Sequence, residues 1–367
     1  MVYKGRGGFQ IDMNKNIDIR IQAVEPLVSP QELARQYPVS DQLTDIIHVS
    51  RQSVNDIILG KDSRLLAIVG PCSIHDPAAA LEYAHKLRNL ASEVSDKLYV
   101  VMRTYFEKPR TIGGWKGLII DPKMDGSYAI QEGIATARKL LIDITSLGLP
   151  VGCEMLDPIV PQYIDEMLSW CSIGARTTES QTHRTLASGM SVAVGFKNST
   201  GGEYATEVNA IKSARESAAF IGIDKHGSSS IYRTTGNDCG HLILRGGDHG
   251  PNYYEEDVEA ASQLMQKLSL EPAIIVDCSH ANSRKNPLRQ RRVLRAVVDQ
   301  VIWGRKEIKG FMIESNLFSG CQTIPENPKE LQYGVSVTDG CIGWEETEEA
   351  LRRVCMALRK GKQELEA

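Results

Sequence analysis

The sequence has no apolar run long enough to cross a membrane and no excess of basic residues. It has 367 residues, a formal net charge of -4 and an isoelectric point near 6.1. An acidic chain that is 42% hydrophobic and 24% charged is atypical of proteins that bind nucleic acids or membrane surfaces. No apolar segment follows Lys4 and Arg6, so the pattern of a secretory signal is missing. We therefore expect a cytoplasmic protein without nucleic-acid or membrane partners.

Paired cysteines and nucleotide-binding glycine motifs are also missing. None of the eight cysteines has Cys-x-x-Cys spacing, and Cys153, Cys171 and Cys278 lie inside apolar runs. We expect reduced thiols, buried or acting as ligands, and not a disulfide framework. The glycine pairs at 201–202 and 246–247 lack the spacing of a phosphate-binding loop, and we expect them to give the backbone clearance.

The most informative stretch runs from Leu65 to Pro77. Its five apolar residues do not alternate with polar ones, which favours a strand buried on both faces, and the following Gly-Pro pair ends that strand. Asp76 and Pro77 then predict the start of a helix, with the aspartate as its cap. One thiol, Cys72, lies between the strand and the helix.

This order of apolar run, loop and helical segment recurs eight times, which predicts an α/β fold, a (β/α)8 or TIM barrel over residues 61–367. Residues 1–60 form an N-terminal extension with two predicted helices, Ser29–Tyr37 and Asp41–Leu59, and the sequence leaves open whether this arm packs on its own barrel or on a second subunit. An inserted β-hairpin is predicted at about 220–240, and residues 104–127 form a long loop. The eight apolar runs are Leu65–Val69, Leu98–Met102, Val151–Met155, Cys171–Ala175, Val192–Phe196, Leu242–Leu244, Ala273–Val276 and Gly310–Ile313.

Reactive or charged residues lie at or just after the end of every apolar run. In a barrel of parallel strands these ends meet at one mouth, where active sites are built. The eight residues are Cys72, Arg103, Glu154, Arg176, Lys197, Arg245, His280 and Glu314.

The basic members of this set predict a pocket for phosphate and carboxylate groups. Arginine binds such oxyanions through two parallel bonds, and lysine adds a mobile charge. The long loop contributes two further basic residues, Lys108 and Arg110.

The remaining members predict a divalent metal site. Cys72, His280, Glu314 and, more weakly, Asp339 offer sulfur, nitrogen and oxygen donors, a set that suits one ion of Mn, Fe, Co or Zn. Glu154 is either a proton-transfer group or an ion-pair partner of the basic cluster, and both interpretations stay open.

Seven motifs, in order, resemble the class I 3-deoxy-D-arabino-heptulosonate 7-phosphate (DAHP) synthases of bacteria and fungi. The resemblance runs from about residue 30 to the C-terminus and does not include the glycine-rich first dozen residues. It departs from the family at Ile112 and Ile120, beside the long loop. The motifs are Gly-Pro-Cys-Ser-Ile-His-Asp at 70–76, Arg103 with Lys-Pro-Arg-Thr at 108–111, Gly-Ala-Arg-Thr-Thr-Glu-Ser at 174–180, Gly-Phe-Lys-Asn at 195–198, Leu-Arg-Gly-Gly at 244–247, Asp-Cys-Ser-His-Ala-Asn at 277–282 and Ile-Glu-Ser at 313–315.

The resemblance implies an enzyme that condenses phosphoenolpyruvate with erythrose 4-phosphate and releases phosphate, the first step of the shikimate pathway. It implies Lys108 as proton donor near the aldehyde and Glu154 as a group that handles water. The implied metal ligands are Cys72, His280, Glu314 and Asp339. Phosphoenolpyruvate is expected at Arg103, Lys108, Arg176, Lys197, Arg245 and the backbone of Ala175. Erythrose 4-phosphate is expected at Lys108, Pro109, Arg110 and Thr111.

The resemblance also implies feedback inhibition by an aromatic amino acid bound near the hairpin and the arm, in a homodimer or homotetramer. Gly222 stands where phenylalanine-sensitive members tend to have serine, which favours tyrosine as the effector.

Two other functions compete with this interpretation. One is a related barrel enzyme that condenses phosphoenolpyruvate with another aldose phosphate, and the Lys-Pro-Arg-Thr segment argues against it. The other is a non-catalytic paralogue that binds an aromatic amino acid, and the retention of every ligand and phosphate residue argues against that.

Overall fold

The computed structural model describes residues 18–110 and 112–361. The glycine-rich start of the chain and Thr111 lie outside the described residues. The described residues include ten strands, and the bounds of the eight that match the predicted runs agree with them to within about three residues. The strands are β1 (Leu65–Gly70), β2 (Leu98–Arg103), β3 (Val151–Glu154), β4 (Trp170–Ile173), β5 (Ala193–Lys197), β6 (Ala219–Ile223), β7 (Ser229–Arg233), β8 (Gly240–Leu244), β9 (Ile274–Asp277) and β10 (Ile308–Glu314).

Eight of these strands close into a parallel barrel in the order β1-β10-β9-β8-β5-β4-β3-β2. Strand β1 pairs with both β2 and β10, and its last residue, Gly70, is level with Glu314. All six residues of β1 are buried, as expected for a strand covered on both faces. The predicted (β/α)8 barrel is therefore confirmed, and the carboxyl ends of its strands share one rim.

Helices alternate with the barrel strands. Asp76 caps the helix after β1 by accepting bonds from the amides of Ala78 and Ala79, and Pro77 is its first residue, as predicted. No described helix is long and apolar enough to cross a membrane. The helices are α1 (Pro30–Gln36), α2 (Asp41–Ile58), α3 (Pro77–Glu93), α4 (Ile130–Ser146), α5 (Pro161–Ile164), α6 (Gln181–Gly189), α7 (Ala205–Arg215), α8 (Glu255–Lys267), α9 (Gln290–Trp303) and α10 (Trp344–Lys360).

The end of α2 closes the barrel at the side opposite the mouth. Val54, Ile57 and Ile58 are buried against apolar side chains from the starts of the strands, among them Leu66 and Ala193. This end of the barrel is therefore filled by apolar side chains, while the polar strand-end residues lie at the opposite rim.

The described part of the N-terminal arm is hydrogen-bonded to its own barrel. Arg51 of α2 donates to the carbonyls of Leu168 and Asp165, at 2.8 and 2.7 Å. Arg138 of α4 donates to the carbonyl of Tyr37 at 3.0 Å, just after α1. These contacts tie α2 to the segment between β3 and β4 and the end of α1 to α4, while a role of the arm in assembly or regulation stays a prediction.

Strands β6 and β7 form the inserted antiparallel hairpin that the sequence predicts. Its two faces differ in exposure. Phe220 and Tyr232 stack with ring centroids 5.2 Å apart, whereas Ile221 and Ile231 are 82% and 70% exposed. The hairpin therefore presents an apolar outer face to its surroundings.

Inside the barrel, His241 is held in its neutral form. Trp170 donates its indole N–H to Nε2 of His241 at 3.0 Å, and Nδ1 lies 3.1 Å from the carbonyl of Cys239. An imidazole that accepts at Nε2 and donates at Nδ1 is uncharged. Burial lowers the pKa of His241 from 6.5 to about 4, and the bond to Cys239 opposes this only in part.

His241 should therefore make the folded state sensitive to acid. Because its folded pKa lies below the unfolded value, its contribution to stability is complete above pH 6.5 and is lost as the pH falls toward 4. Between pH 7.5 and 5 this amounts to about 2 kcal/mol. We expect His241→Gln to be less stable at pH 7.5 and to lose about 2 kcal/mol less than the wild type over this range, measured by urea unfolding.

The control is His48→Gln, which changes an exposed histidine of α2. Its free energy of unfolding should change with pH as that of the wild type does. If the free energies of unfolding of the wild type and of His241→Gln change equally with pH, His241 is not held neutral.

Candidate active site at the barrel mouth

All eight predicted strand-end residues lie at the same rim. Arg103, Glu154, Lys197 and Glu314 are the last residues of β2, β3, β5 and β10. The other four, Cys72, Arg176, Arg245 and His280, follow the ends of β1, β4, β8 and β9 within three residues.

Arg103 and Glu314 form an ion pair at the centre of the mouth. Both side chains are completely buried, and Nη2 of Arg103 lies 3.1 Å from Oε1 of Glu314. The guanidinium also lies 3.9 Å from the ring centroid of Tyr105, and Ser279 donates to Oε2 of Glu314 at 2.8 Å. Burial alone would raise the pKa of Glu314, but His280, Arg103 and Lys108 outweigh it and hold the pKa at about 2. Glu314 is therefore a carboxylate.

Three of the four predicted metal ligands come together beside this pair. The ligand atoms of Cys72, Glu314 and Asp339 all lie within 4.8 Å of one another, with Sγ of Cys72 3.6 Å from Oδ2 of Asp339. Lys108 reaches the same sulfur, with Nζ 3.0 Å from Sγ. Burial raises the pKa of Cys72 to about 11, and Glu314 adds to this rise while Lys108 opposes it.

His280, the fourth predicted ligand, lies next to this group and not within it. Its Nε2 is 3.8 Å from Oε1 of Glu314, and its Nδ1 is 3.0 Å from Oδ2 of Asp277. His280 has a positive φ of 52°, which turns the chain sharply after β9. A carboxylate at one ring nitrogen leaves the other nitrogen to face Glu314.

Asp277 is a site residue that the sequence reasoning missed. It is the last residue of β9, and its carboxylate is fully buried between His280 and Lys197, whose Nζ lies 3.7 Å away. Burial alone would raise the pKa of Asp277, but His280, Lys197 and Arg103 hold it well below its usual range. The signal was present, since Asp277 and not His280 is the polar residue that directly ends the apolar run.

Glu154 has one oxygen near a cation and one without a partner. Its Oε2 lies 3.8 Å from Nζ of Lys197, and its Oε1 is buried with no hydrogen bond among the described residues. A Cβ atom on residue 174 would lie 2.4 Å from that Oε1, so any residue other than glycine at this position would displace the carboxylate. This geometry suits both roles considered for Glu154, ion-pair partner and proton-transfer group.

Lys197 lies between Glu154 and Asp277 and is almost completely buried. Burial lowers its pKa, and the two carboxylates oppose this effect. Arg245 is half-buried, and burial lowers its pKa as well, with the positive charge of Arg176 acting in the same direction. Arg176 itself is exposed, and Ala175 beside it is half-buried.

The long loop brings Lys108 inward and leaves Arg110 outside. The amide of Lys108 donates to the carbonyl of Lys116 at 3.0 Å, and Nε of Arg110 donates to the carbonyl of Trp115 at 3.1 Å. Pro109, between them, is half-buried, while Arg110 is exposed. Of the four residues predicted for the second substrate, only Lys108 lies deep in the mouth, and Thr111 is not among the described residues.

Three asparagines fix the loops that carry these groups, and the sequence reasoning gave them no role. Asn198 accepts from the amide of Arg245 at 2.7 Å and from the side chain of Asn252 at 3.1 Å. Asn282 donates to the carbonyls of Leu244 and Asp277. Their position just after strand ends, where the ladder leaves backbone groups unpaired, was the available signal.

The two glycine pairs allow the loops after β5 and β8 to touch. A Cβ on Gly247 would lie 2.2 Å from both Cα and N of Gly202, so no side chain fits there. Backbone clearance is therefore their role, as the sequence analysis predicted. All eight cysteines are free, and Cys321 alone among them is exposed, which agrees with the expectation of reduced thiols.

Comparison with known proteins gives consistent results. A sequence model of the DAHP synthetase I family matches residues 36–352. A Tyr-sensitive phospho-2-dehydro-3-deoxyheptonate aldolase of Escherichia coli is 50% identical over 345 residues, covering 94% of this chain and 96% of its own. A Trp-sensitive one of Enterobacter agglomerans is 46% identical over 346 residues, covering 94% and 99%. A solved phospho-2-dehydro-3-deoxyheptonate aldolase of Francisella tularensis superposes with a TM-score of 0.90 at 44% identity, covering 92% of this chain and 98% of its own.

Proposed function

Because the chain belongs to the DAHP synthetase I family, we propose that it is a 3-deoxy-7-phosphoheptulonate synthase. This transferase condenses phosphoenolpyruvate with erythrose 4-phosphate in the first step of aromatic amino acid biosynthesis. The observation that carries the proposal is the mouth itself, where buried cations lie beside the Cys72, Glu314 and Asp339 group. A cytoplasmic location is part of the same proposal.

The donor set at the mouth fits one divalent ion. Cys72, Glu314 and Asp339 supply one sulfur and two carboxylates, and His280 offers Nε2 beside Glu314. A mixed set of this kind suits Mn, Fe, Co or Zn better than Ca. When bound, the ion would supply Lewis-acid polarisation of the aldehyde oxygen. Asp277 orients His280 for this role from its other ring nitrogen.

The cations of the mouth bind phosphoenolpyruvate, which carries a phosphate and a carboxylate. Arg103 and Lys197 lie deep and are already neutralised by carboxylates, whereas Arg176 and Arg245 lie further out. The outer pair is suited to the phosphate, with the backbone of Ala175 beside it, and the inner groups and Lys108 are suited to the carboxylate end. Without these charges the phosphates of the two substrates would repel each other in one pocket.

Lys108 is the proton donor for the new hydroxyl. The methylene carbon of phosphoenolpyruvate attacks the aldehyde carbon, and the aldehyde oxygen takes a proton as its double bond opens. Burial alone would lower the pKa of Lys108, but Cys72 and Glu314 outweigh it and raise the pKa, so the amine carries a proton at neutral pH. Lys108, Pro109, Arg110 and Thr111 hold erythrose 4-phosphate, with Arg110 turning inward from its present bond to Trp115.

Glu154 handles the water that completes the reaction. The attack leaves a cationic carbon, to which water adds, and the resulting hemiketal phosphate loses inorganic phosphate by C–O cleavage. The unpartnered Oε1 of Glu154 can accept a proton from that water while Oε2 stays beside Lys197.

The experiment that tests this function measures phosphate release from both substrates. We expect the activity to disappear after treatment with a chelator and to return with added Mn²⁺, because the ion held by Cys72, Glu314 and Asp339 would polarise the aldehyde oxygen. Arabinose 5-phosphate should support little turnover in the same assay. No phosphate release with any of the four metals, although both substrates bind, would favour the non-catalytic aromatic-amino-acid-binding paralogue.

Lys108→Met removes the proposed proton donor and keeps most of the side-chain length. We expect kcat to fall by about 10²-fold or more, the usual contribution of general acid catalysis. The matched control is Lys116→Met, which changes an exposed lysine of the same loop and should leave kcat within about twofold. Near-normal turnover by Lys108→Met would reject the assignment.

An aromatic amino acid is the effector, and tyrosine is favoured. Relatives of this chain are named Tyr-sensitive and Trp-sensitive. In the hairpin, Gly222 faces the ring of Tyr232, whose hydroxyl donates to the carbonyl of Ile223 at 2.7 Å and lies 3.2 Å from Oε1 of Gln162. A missing side chain at 222 leaves room for a phenolic hydroxyl. The exposed isoleucines of the hairpin support a homodimer or homotetramer, which light scattering would identify.

Gly222→Ser tests the effector site. A Cβ at this position would lie 3.2 Å from the ring of Tyr232, so a serine side chain narrows the space. We expect the tyrosine concentration for half-inhibition to rise about tenfold, with kcat unchanged. Ser229→Ala, on the exposed side of the hairpin, should have no effect. If saturating tyrosine leaves the initial rate of the wild type unchanged, tyrosine is not the effector.

A further inference from the structure

A second basic hollow lies outside the mouth, between the loop that follows β8 and the loop that follows β9. It has a volume of about 200 Å³. We name it the arginine pocket after three of the residues that line it, Arg284, Arg289 and Arg292. Tyr253, Tyr254 and Asn282 contribute to its walls. None of these six residues has a role in the reaction proposed above.

The three guanidinium groups have no carboxylate within ion-pair distance among the described residues. Their neighbours on α9 differ in this respect. Arg291 lies 2.9 Å from Glu349, and Arg295 lies 3.9 Å from Asp299. Of the three pocket arginines, Arg292 lies on α9, Arg289 directly precedes that helix and Arg284 lies in the loop after β9, and all three are exposed. Like charges brought together without a counter-charge repel, so this arrangement favours an anion between them.

Two of the three acidic residues at the start of α8 have partners other than the pocket arginines. Helix α8 begins with Glu255, Glu256 and Asp257. Asp257 accepts the amide of Tyr254 at 3.2 Å as part of the helix cap, and Glu255 faces Arg305. The start of α9 borders the hollow and has no acidic residue in its first turn, so its amide end adds positive potential to that of the three arginines.

The arginine pocket is joined to the mouth by one loop. Residues 280–285 carry His280 at one end and Arg284 near the other, and His280, Arg284 and Lys285 all have positive φ values of 52–57°. The amide of Lys285 donates to the carbonyl of His280 at 2.8 Å, which closes the loop. The side chain of Asn282 donates to the carbonyls of Leu244 and Asp277, and Asn282 also lines the hollow.

We propose that the arginine pocket binds a phosphate group, as inorganic phosphate or as a small phosphate monoester, at a site separate from both substrate phosphates. Three planar guanidinium groups match the oxygens of a tetrahedral dianion better than they match a single carboxylate. A hollow of about 200 Å³ limits the ligand to a few heavy atoms beyond the phosphate. A polyanion such as nucleic acid is disfavoured, because the chain is acidic overall.

The test is a calorimetric titration with inorganic phosphate at constant ionic strength. Saturating phosphoenolpyruvate is present to fill its own site. The wild type is compared with the double variant Arg289→Gln and Arg292→Gln. We expect the wild type to bind one more phosphate per chain than the variant, or the same phosphate at least about tenfold more tightly. Values of KM for both substrates and of kcat should stay within about twofold, because neither arginine lies in the mouth.

The matched control is the double variant Arg291→Gln and Arg295→Gln, which removes the same charge from neighbouring positions that already have acidic partners. It should bind phosphate like the wild type. A titration with glycerol 3-phosphate separates the two sources, since tighter binding than inorganic phosphate identifies a monoester site and weaker binding identifies a site for the free ion.

Three results would overturn the proposal. If the wild type and the Arg289 and Arg292 variant bind phosphate equally, the site holds an adventitious ion only. The same conclusion follows if the control variant loses as much phosphate binding as the Arg289 and Arg292 variant. A rise in KM for either substrate in the Arg289 and Arg292 variant places the arginines in the substrate site. Because the readout is binding, the result stands whether or not the proposed synthase activity is found.

Discussion

The mouth of the barrel depends on the buried ion pair between Arg103 and Glu314. Removing two charges from water costs several kcal/mol for each ion, and the attraction between them offsets this only when further bonds satisfy the remaining atoms. Here Ser279 bonds Glu314, and the carbonyl of Pro71 and the ring of Tyr105 contact Arg103. These partners come from the ends of β1, β2, β9 and β10. The pair can therefore form only in a barrel that has closed in this register.

The charges around the rim are graded from inside to outside. Arg103 and Lys197 are buried, and each lies beside carboxylates of the chain itself. Arg176 and Arg245 lie further out and have no carboxylate within ion-pair distance among the described residues. The inner cations are therefore stable without a ligand, while the outer ones hold positive charge that only an anion from solution can balance. The uncompensated positive charge at the outer rim attracts anions to the mouth.

The eight strands, the hairpin and the caps were predictable because each depends on local patterns, such as the unbroken apolar run Leu65–Val69 or the Asp76-Pro77 pair. The convergence of Cys72 and Glu314 was also accessible, since parallel strands deliver their ends to one rim. Asp339 lies in the long segment between β10 and α10, where strand order gives no such signal. Contacts set by loop conformation were not. The side-chain directions of His280 and Arg110 follow from a positive φ and from a bond to Trp115, and neither has a local signal. Asp277 was passed over because a histidine three residues later drew the assignment.

The loops at the mouth are held by amides and glycines, and this choice has a physical reason. Apolar packing would place hydrocarbon next to charged groups and raise the cost of keeping them ionised. Asn198, Asn252 and Asn282 instead bond the backbone where the ladders end, and Gly202 and Gly247 allow two loops to touch. The backbone that carries Lys197 and Arg245 is thus fixed before any substrate arrives. Folding therefore overcomes part of the repulsion among the cations, and less reorganisation is left for the reaction itself.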